Sequence, residues 1–354
     1  MTRLFPDSPL PLLVTPESMG GIRDAAALTD WVAENRAVLE KQLLAHGGIL
    51  FRSFGFSSPE VFEEFAKTIS PKFVSYTGGA TPRKHVSGSI YTSTEVPRVL
   101  PIPLHCEMSY LNRYPGKILF YCHSEPSRGG QTPVADMRLV YRDLDLTVRA
   151  RFEERGVRLI RCFPNRRRLV ALKSWQEAYG TEDRAVVEDI CRAQQTDFAW
   201  QANGSLRTII RRPAVITHPK TGDKVWFNSA NVSHNSFSME ARHLGWRVVG
   251  WCLERLEARR RRRLRPEQYR SHCTFGDGSA IALDDIRHVR QVLWNHTLMF
   301  NWRQGDVLLL DNLGVGHGRM PYQGPRKILA ALIDPVTEDA AHEVTVAAVR
   351  SASA

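Results

Sequence analysis

Two short motifs place a histidine and an acid two residues apart: H-C-E at 105–107 and H-S-E at 123–125. Side chains alternate along a β-strand, so both residues of such a pair point to one face and can bind the same metal ion. The second motif precedes a proline and a glycine-rich turn, which places its acid where a strand ends. We therefore favour His105 and Glu107 as metal ligands, on a strand over 104–110 whose cysteine faces away.

A third candidate ligand, His317, lies in a glycine-rich loop between two expected strands. The apolar runs at 307–310 and 328–333 predict the strands, and four glycines and two prolines between them exclude a helix. A neutral imidazole is a common metal ligand. Asp311 and Asn312 follow the first strand, and we interpret them as turn formers or as partners that orient His317.

Two histidines and one carboxylate on one side of a metal ion, with the other positions open, are the ligands of non-haem Fe(II) oxygenases. If the co-substrate is 2-oxoglutarate, its 2-oxo acid end chelates the iron and its far carboxylate needs a cation and a hydroxyl. Arg326 can supply a guanidinium that forms two parallel hydrogen bonds, and Thr132 can supply the hydroxyl. The alternatives are a structural polar cluster, a solvent-exposed arginine and a hydroxyl that caps a strand.

The elements that must position these residues are buried strands with helices around them. Apolar spacing predicts helices at 24–46, 59–70, 138–160, 174–196, 240–262 and 282–296. Apolar runs predict strands at 49–54 and 117–123 and a hairpin with its turn at 219–223. Between about 161 and 270, helical segments alternate with this hairpin, and no flexible linker flanks them. We interpret that region as an insertion in a single domain spanning 1–354.

The combination of H-C-E, G-G-Q-T and D-N-x-x-x-x-H-G-R-x-P-Y-x-G-P-R resembles the TauD/TfdA superfamily of Fe(II)/2-oxoglutarate-dependent dioxygenases. Within it, the chain is most similar to the SyrP-like branch of amino-acid hydroxylases from nonribosomal peptide pathways. Further similar segments include H-G-G-I-L-F-R-S-F, Y-T-G-G-A-T-P-R and W-R-Q-G-D-V-L-L-L-D-N. The resemblance implies a mainly β fold with helices (α+β), built on a double-stranded β-helix or jelly roll, with the insertion as a helical lid.

The resemblance also implies the site. His105, Glu107 and His317 match the iron ligands, and Arg326 and Thr132 match the residues that hold 2-oxoglutarate. Fe(II), 2-oxoglutarate and O₂ are therefore the expected cofactor and co-substrates. Family members that halogenate have a small residue in place of the carboxylate ligand, so the glutamate argues against halogenation. The branch usually has an asparagine between the first two ligands, where this chain has a cysteine.

The expected reaction is hydroxylation of an unactivated C–H bond in an amino acid or a derivative, within antibiotic biosynthesis. Desaturation, epoxidation and cyclisation are alternatives that the same iron chemistry allows, and the substrate is either free or tethered to a carrier protein. The stretch 229–236 departs from the family pattern, which indicates a different substrate pocket. The candidate substrate contacts are Asn231, His234, Arg319 and Thr92.

The chain has a formal net charge of +11, and arginine runs at 166–168 and 259–263 hold much of the excess. Such an excess favours an acidic partner. An acidic carrier protein is one interpretation, a nucleic-acid-binding module is another, and a solvated helix face is the third. A metal-binding fold of the cupin type without redox chemistry is a further alternative to the oxygenase.

The six cysteines lie far apart and form no C-x-x-C pair, which argues against a zinc site or a redox dithiol. Prolines and an aspartate interrupt the first residues, unlike the apolar centre of a signal peptide. No apolar run approaches the roughly 18 residues of a membrane span. We therefore expect a cytoplasmic enzyme with reduced thiols and no membrane partner.

Overall fold

The structure is a computed structural model and describes residues 2–76, 83–165, 173–233, 240–241, 244–261, 263, 269 and 271–337. The strands, β1 to β19 in chain order, cover Thr2–Phe5, Ser8–Val14, Gly48–Phe51, His85–Ser87, Ile90–Thr92, Ile102–His105, Arg113–Ser124, Arg128–Gly129, Val134–Asp136, Val157–Phe163, Asp197–Trp200, Leu206–Arg212, Val215–Thr217, Lys224–Trp226, Ser271–Phe275, Val307–Asp311, Val315–Arg319, Tyr322–Gln323 and Lys327–Thr337. The helices, α1 to α10, cover Ala25–Glu34, Arg36–His46, Pro59–Ile69, Met137–Asp143, Leu146–Arg155, Trp175–Tyr179, Arg184–Ala193, Ala230–Ser233, Arg247–Arg261 and Leu283–Asn295.

The largest sheet has eight strands in the order β1-β2-β3-β16-β7-β19-β5-β4. Strand β16 lies between β3 and β7 and is antiparallel to both. All five of its residues are buried because the strand is covered on both faces. Leu308 and Leu310 pack into the interior core, whereas Val307 and Leu309 pack into a second core on the opposite face. This apolar run, predicted to be a strand, forms the centre of the sheet.

A three-stranded sheet, β6-β17-β9, packs against the inner face of the large sheet. Side chains of both sheets form one core, with Leu104, Val134 and Val315 from the small sheet and Ile118 and Phe120 from the large one. Two sheets that enclose a core, antiparallel except where β2 pairs with β3, are the layers of a jelly roll. The expected α+β class with a jelly-roll core is confirmed.

Helices α1 to α3 cover the outer face of the large sheet, where Leu28, Leu43 and Phe62 are buried. The helix predicted over 24–46 is two helices, because it breaks at Asn35. The side-chain amide and the backbone N–H of Asn35 both donate to the carbonyl oxygen of Trp31, at 2.9 Å each. A polar side chain that competes for a helix carbonyl in this way ends the first helix.

The region from 157 to 275 adds a four-stranded sheet in the order β11-β12-β10-β15. The predicted helices at 138–160 and 174–196 are each two shorter helices followed by a strand. The predicted hairpin is formed by β13 and β14, and Trp226 and Phe227 at its end belong to the main core. The end of this hairpin therefore packs into the same core as the two main sheets, although β13 and β14 form a separate two-stranded sheet. The arginines at 166–168 lie outside the described residues.

Among the described helices, none combines the length and the apolar character required to cross a membrane.

Candidate functional site

His105 and His317 face each other across the neighbouring strands β6 and β17. Their Cα atoms are register partners, and the two ring centroids are 4.6 Å apart. His105 Nδ1 donates a hydrogen bond to the carbonyl oxygen of Pro103 at 2.8 Å, which leaves Nε2 as the nitrogen with a free lone pair. Burial, and next the neighbouring His317, lower the pKa of His105 to about 4, so the ring is neutral near pH 7.

His317 lies on a strand rather than in the loop that the glycines predicted. The glycines on either side of it allow this strand to approach its neighbours closely. A Cβ on Gly316 would overlap Cε of Met137, and a Cβ on Gly318 would lie 2.5 Å from the carbonyl oxygen of Ile102. The glycines that indicated a loop therefore bring His317 into the core next to β6.

Glu107 lies in a turn, because strand β6 ends at His105 and does not continue to 110 as predicted. Asn312 holds the backbone of this turn. The Glu107 backbone N–H donates to Asn312 Oδ1 at 2.7 Å, and Asn312 Nδ2 donates to the carbonyl oxygens of Glu107 at 3.0 Å and Pro115 at 2.7 Å. The predicted partner of His317 therefore orients Glu107 instead.

Asp311, the other residue expected near His317, points elsewhere. Its carboxylate accepts a hydrogen bond from His218 Nε2 at 3.1 Å and one from the backbone N–H of Leu313 at 3.2 Å. His317 Nδ1 is buried and has no hydrogen-bond partner among the described residues. Cys106 faces away from the histidines into the main core, as predicted, and burial raises the pKa of its thiol.

The ligand atoms of His105, Glu107 and His317 all lie within 4.8 Å of one another. His317 Nε2 is 3.7 Å from Glu107 Oε2. In the part of the chain that the structure describes, no other group of three His, Cys, Asp or Glu side chains has this arrangement. Two imidazole nitrogens and one carboxylate oxygen are the donors of a non-haem Fe(II) centre, so these residues fit that ion.

Arg83 is a site residue that sequence reasoning missed. Its Nη2 donates to Glu107 Oε2 at 2.6 Å, and its guanidinium lies 4.2 Å from the ring centroid of Tyr76. Burial alone would raise the pKa of Glu107, but the charge of Arg83 and the two histidines outweigh it and hold that pKa well below the usual range. The arginine ends the segment Y-T-G-G-A-T-P-R, which carried part of the family resemblance but no residue role.

Arg326 and Thr132 lie on the wall of the same cavity as the three candidate ligands, and the cavity volume is about 290 Å³. Arg326 Nε donates to the carbonyl oxygen of Gly130 at 2.9 Å, and its terminal nitrogens make no hydrogen bond to the described residues. Burial, and next Arg319, lower the pKa of Arg326 to about 10, which still leaves it charged. The Thr132 hydroxyl accepts a hydrogen bond from Trp302 Nε1 at 3.0 Å.

Of the four candidate substrate residues, one lines the cavity, two lie outside it, and one is outside the described residues. Arg319 lines the cavity, but its terminal nitrogens donate to the carbonyl oxygens at 96, 97 and 100 and so hold that loop. The Thr92 hydroxyl accepts from the backbone N–H of Lys84 at 2.9 Å and does not line the cavity, whereas the hydroxyl-bearing residues at 93 and 94 do. Of the three hydroxyl-bearing residues at 92–94, two therefore face the cavity and Thr92 does not.

Asn231 lies outside the cavity. Its side chain donates to the carbonyl oxygen of Leu104 at 2.8 Å, so it supports the strand that carries His105 and does not face a substrate. Ser229, Val232 and Ser233, from the same part of the chain, do line the cavity. The remaining candidate, His234, lies outside the described residues.

A family model described as "Taurine catabolism dioxygenase TauD, TfdA family" matches residues 8–332. The dapdiamide synthesis protein DdaC of Enterobacter agglomerans is 33% identical over 299 residues, which cover 84% of this chain and 85% of that protein. A clavaminate synthase-like protein of Arabidopsis thaliana is 29% identical over 337 residues, which cover 93% and 94%. The crystal structure of PvcB from Pseudomonas aeruginosa has the same fold, with a TM-score of 0.50 at 15% identity over 94% of both chains.

The family model covers most of the chain, and the similarity to DdaC is high over most of its length. Both findings fit the SyrP-like branch expected from the motifs. They argue against the two alternatives, nucleic-acid binding and a cupin-type metal site without redox chemistry, as the main function of the chain. The chain belongs to the TauD/TfdA family and is a non-haem Fe(II)/2-oxoglutarate-dependent dioxygenase.

Proposed function

We propose that His105, Glu107 and His317 bind the iron of this dioxygenase, and that Arg326 and Thr132 bind the far carboxylate of 2-oxoglutarate. The observation that carries the proposal is that both groups of residues converge on one cavity. When bound, iron and 2-oxoglutarate supply the activation of O₂, with 2-oxoglutarate converted to succinate and CO₂.

The protein contributes positioning and the exclusion of water. Asn312 and the carbonyl oxygen of Pro103 fix the orientation of two candidate ligands before the metal binds. This preorganisation strengthens metal binding, because the side chains lose little freedom when the ion arrives. Ile102, Phe120 and Ile328 form apolar parts of the cavity wall, which keep bulk water away from the reacting atoms.

The reaction we propose is hydroxylation of a C–H bond in an amino acid or an amino-acid-derived substrate, in a biosynthetic pathway. The similarity to a protein named for dapdiamide synthesis supports a biosynthetic role. A carboxylate at position 107 supports hydroxylation over halogenation, since it would leave no ligand position for a halide. Desaturation, epoxidation and cyclisation remain alternative outcomes of the same site.

The region from 161 to 270 is proposed to be an insertion that covers the cavity within a single domain. Arg161, Cys162 and Phe163, at its start, line the cavity together with Val232 and Ser233. Substrate therefore contacts this region when it enters. If the substrate is tethered, an acidic carrier protein would approach the same side of the molecule.

The test is to incubate the purified chain with Fe(II), 2-oxoglutarate and O₂ and a panel of free amino acids and aminoacyl carrier proteins. Mass spectrometry then identifies any product that is 16 Da heavier, for hydroxylation or epoxidation, or 2 Da lighter, for desaturation or ring closure, as oxygen and hydrogen atomic masses dictate. We expect succinate to form in step with one of these products. Absence of succinate with every substrate would contradict the assigned site.

A pair of variants tests the choice between the two H-x-E motifs. Glu107→Ala removes one of three ligands and is expected to abolish succinate formation and to weaken Mn(II) binding at least tenfold. Glu125→Ala is the matched control, because the carboxylate of this acid accepts a hydrogen bond from the backbone N–H of Gln304 and does not line the cavity. Full turnover by Glu107→Ala would rule out the ligand assignment.

A further inference from the structure

Residues 229–233, which comprise Ser229 and helix α8, lie between the cavity and the H-C-E motif. The helix packs against strand β6, which ends at His105, and against β10 and β15 of the four-stranded sheet. Ser229, Val232 and Ser233 line the cavity. This segment therefore borders both the space that a substrate fills and the strand that carries the first candidate ligand.

Two buried hydrogen bonds join the 229–233 segment to the H-C-E motif. Asn231 Nδ2 donates to the carbonyl oxygen of Leu104 at 2.8 Å, directly before the histidine of the motif. The hydroxyl groups of Ser229 and Ser109 form a hydrogen bond of 2.9 Å, two residues after its glutamate. Because a shift of the segment would leave these buried groups without partners, the segment fixes the backbone on both sides of the motif.

The side chain of Arg290 in helix α10 holds this segment and is only 1% exposed. Its Nη2 donates to the backbone carbonyl oxygen of Asn231 at 2.6 Å, and its Nη1 donates to Glu240 Oε1 at 3.1 Å. Glu240 is also buried, and it accepts a hydrogen bond from the side chain of Trp294, one turn further along α10. The guanidinium therefore ties both Asn231 and Glu240 to one helix.

The buried ion pair between Arg290 and Glu240 is not explained by stability alone. Burial raises the pKa of Glu240 and lowers the pKa of Arg290, and the attraction between the two charges offsets burial only in part. Ion pairs of this kind can often be replaced by apolar residues of similar volume without loss of stability. What such a pair does provide is a single permitted arrangement, because moving either partner leaves a charge buried without its counterion. Arg290 therefore restricts the 229–233 segment to one position.

We infer that the 229–233 segment positions the first two iron ligands, His105 and Glu107, and that Arg290 is the positioning residue that holds the segment in place. This inference rests on the proposed function, because it takes these two residues as ligands. Arg290 does not line the cavity, so it acts through the segment and not on the substrate. Since three residues of the segment line the cavity, the segment also fixes the cavity wall and the ligands relative to one another.

The test measures Mn(II) binding to the full chain by calorimetry, together with the EPR spectrum of the bound ion, which reports the geometry of its ligands. Arg290→Lys keeps a positive charge beside Glu240, but one ammonium group does not reproduce the arginine fork that reaches two acceptors. We expect the Kd for Mn(II) to rise about tenfold, as after loss of other groups that orient metal ligands, and the spectrum to change. A raised Kd with an unchanged spectrum would indicate general destabilisation and would contradict the inference, as would an unchanged Kd.

A second variant, Arg290→Leu combined with Glu240→Leu, removes the ion pair without leaving a charge unpaired. It should unfold at a denaturant concentration near that of the parent. Its affinity for Mn(II) should nevertheless fall as in Arg290→Lys, because no group replaces the donor to the Asn231 carbonyl oxygen. Arg287→Leu is the matched control, since Arg287 lies on the same helix and pairs with the exposed Asp284. Parent-like Mn(II) binding in the double variant would overturn the inference.

The hydroxyl pair tests the same link without disturbing a buried charge. Ser109→Ala and Ser229→Ala each remove one partner of the bond, and each should raise the Kd for Mn(II) about two- to tenfold. Because both variants lose the same bond, the double variant should lose no more affinity than the weaker-binding single variant. Unchanged affinity in both single variants, or strictly additive losses, would contradict the inference.

Failure of the proposed function would give a different result. If the ligands were assigned wrongly, Glu107→Ala would bind Mn(II) as tightly as the parent chain. If the ligands are correct but Arg290 does not position them, Glu107→Ala binds Mn(II) weakly while the Arg290 variants bind it as the parent does.

Discussion

Asn312 connects two parts of the chain that are far apart in sequence, and it is fully buried. Asn312→Ala leaves the backbone groups of Glu107 and the carbonyl oxygen of Pro115 without their partners. We expect the free energy of unfolding to fall by about 2–4 kcal/mol. Because Glu107 would lose its fixed orientation, the affinity for Mn(II) should fall about tenfold. Denaturant titration and Mn(II) binding measure the two effects.

The exposed Asn295 provides the control for this variant. Asn295→Ala loses only a hydrogen bond from Gln291 one helical turn away, so neither stability nor metal affinity should change by much. If Asn312→Ala destabilises the chain but binds Mn(II) as the parent does, Asn312 supports the fold without orienting Glu107.

We expect that a lysine at position 326 cannot replace Arg326 in binding 2-oxoglutarate. Arg326→Lys replaces a guanidinium that can form two parallel hydrogen bonds with a carboxylate by a single point charge, and it also loses the bond to the Gly130 carbonyl oxygen. The KM for 2-oxoglutarate should rise roughly ten- to a hundredfold, corresponding to about 1.5–3 kcal/mol. The neighbouring Lys327→Arg is the control. An unchanged KM in Arg326→Lys would mean that another cation, with Arg319 as the first candidate, holds the carboxylate.

At the residue scale, the sequence predicted the residues that carry recognisable chemistry and missed those that act through tertiary contacts. The two histidines, Glu107, Arg326 and Thr132 came from residue types, spacing and family motifs. Arg83 is 24 residues away from the glutamate that it contacts, and no local pattern signals that pairing. Thr92 and Asn231 have suitable side chains, but the fold directs them away from the cavity.

At the scale of elements, the long apolar runs were predicted well and the irregular segments were not. Strand β16 and helices α3 and α10 lie close to where the patterns placed them. Glycine was misleading in β17, because the same residue type indicates both a loop and a strand that approaches its neighbours closely. Glu107 reaches the face of His105 through a turn, where Met108 has a positive φ of 58°, rather than through strand alternation.

Strand β17 gives a prediction about close packing. Gly316→Ala introduces a methyl group that overlaps the terminal methyl group of Met137 in helix α4, so either this buried side chain or the strand that carries His317 must move. We expect the free energy of unfolding to fall by about 1–3 kcal/mol and the affinity for Mn(II) to fall as well. Thermal or denaturant unfolding and metal titration measure both.

A double-mutant cycle tests whether overlap with Met137 causes the destabilisation by Gly316→Ala. Met137→Ala alone leaves a cavity, and the new methyl group of Gly316→Ala fills part of that space in the double variant. The two changes should therefore compensate each other, with a coupling of about 0.5–3 kcal/mol. Strict additivity of the two effects would show that the overlap with Met137 is not what makes glycine necessary.

At the scale of the whole molecule, positive charge is concentrated at two separate locations. One location is the cavity wall, where four arginines lie. The arginine run begins inside helix α9, where Arg259 is exposed together with Val248, Trp251 and Leu256. Exposed apolar residues next to positive charge are typical of a surface that meets an acidic protein. We propose this surface of helix α9 as the docking surface for an acidic carrier protein.

Variants of the arginine run test whether its charge attracts the carrier protein. Charges attract over about 10 Å at 0.1 M salt, and the attraction weakens as salt rises. Changing Arg260, Arg261 and Arg263 to glutamine should lower kcat/KM for a carrier-tethered substrate and flatten its salt dependence. Turnover of 2-oxoglutarate without substrate should stay the same, because the iron site does not include these residues.

A second triple variant, in which the exposed Arg142, Arg192 and Arg211 become glutamine, removes the same charge elsewhere. It should leave kcat/KM close to that of the parent, since only charges near the approaching carrier steer it. Equal losses in both triple variants would show that net charge alone acts, without a docking surface. If the first variant handles tethered and free substrates as the parent does, the arginine run is a solvated helix face.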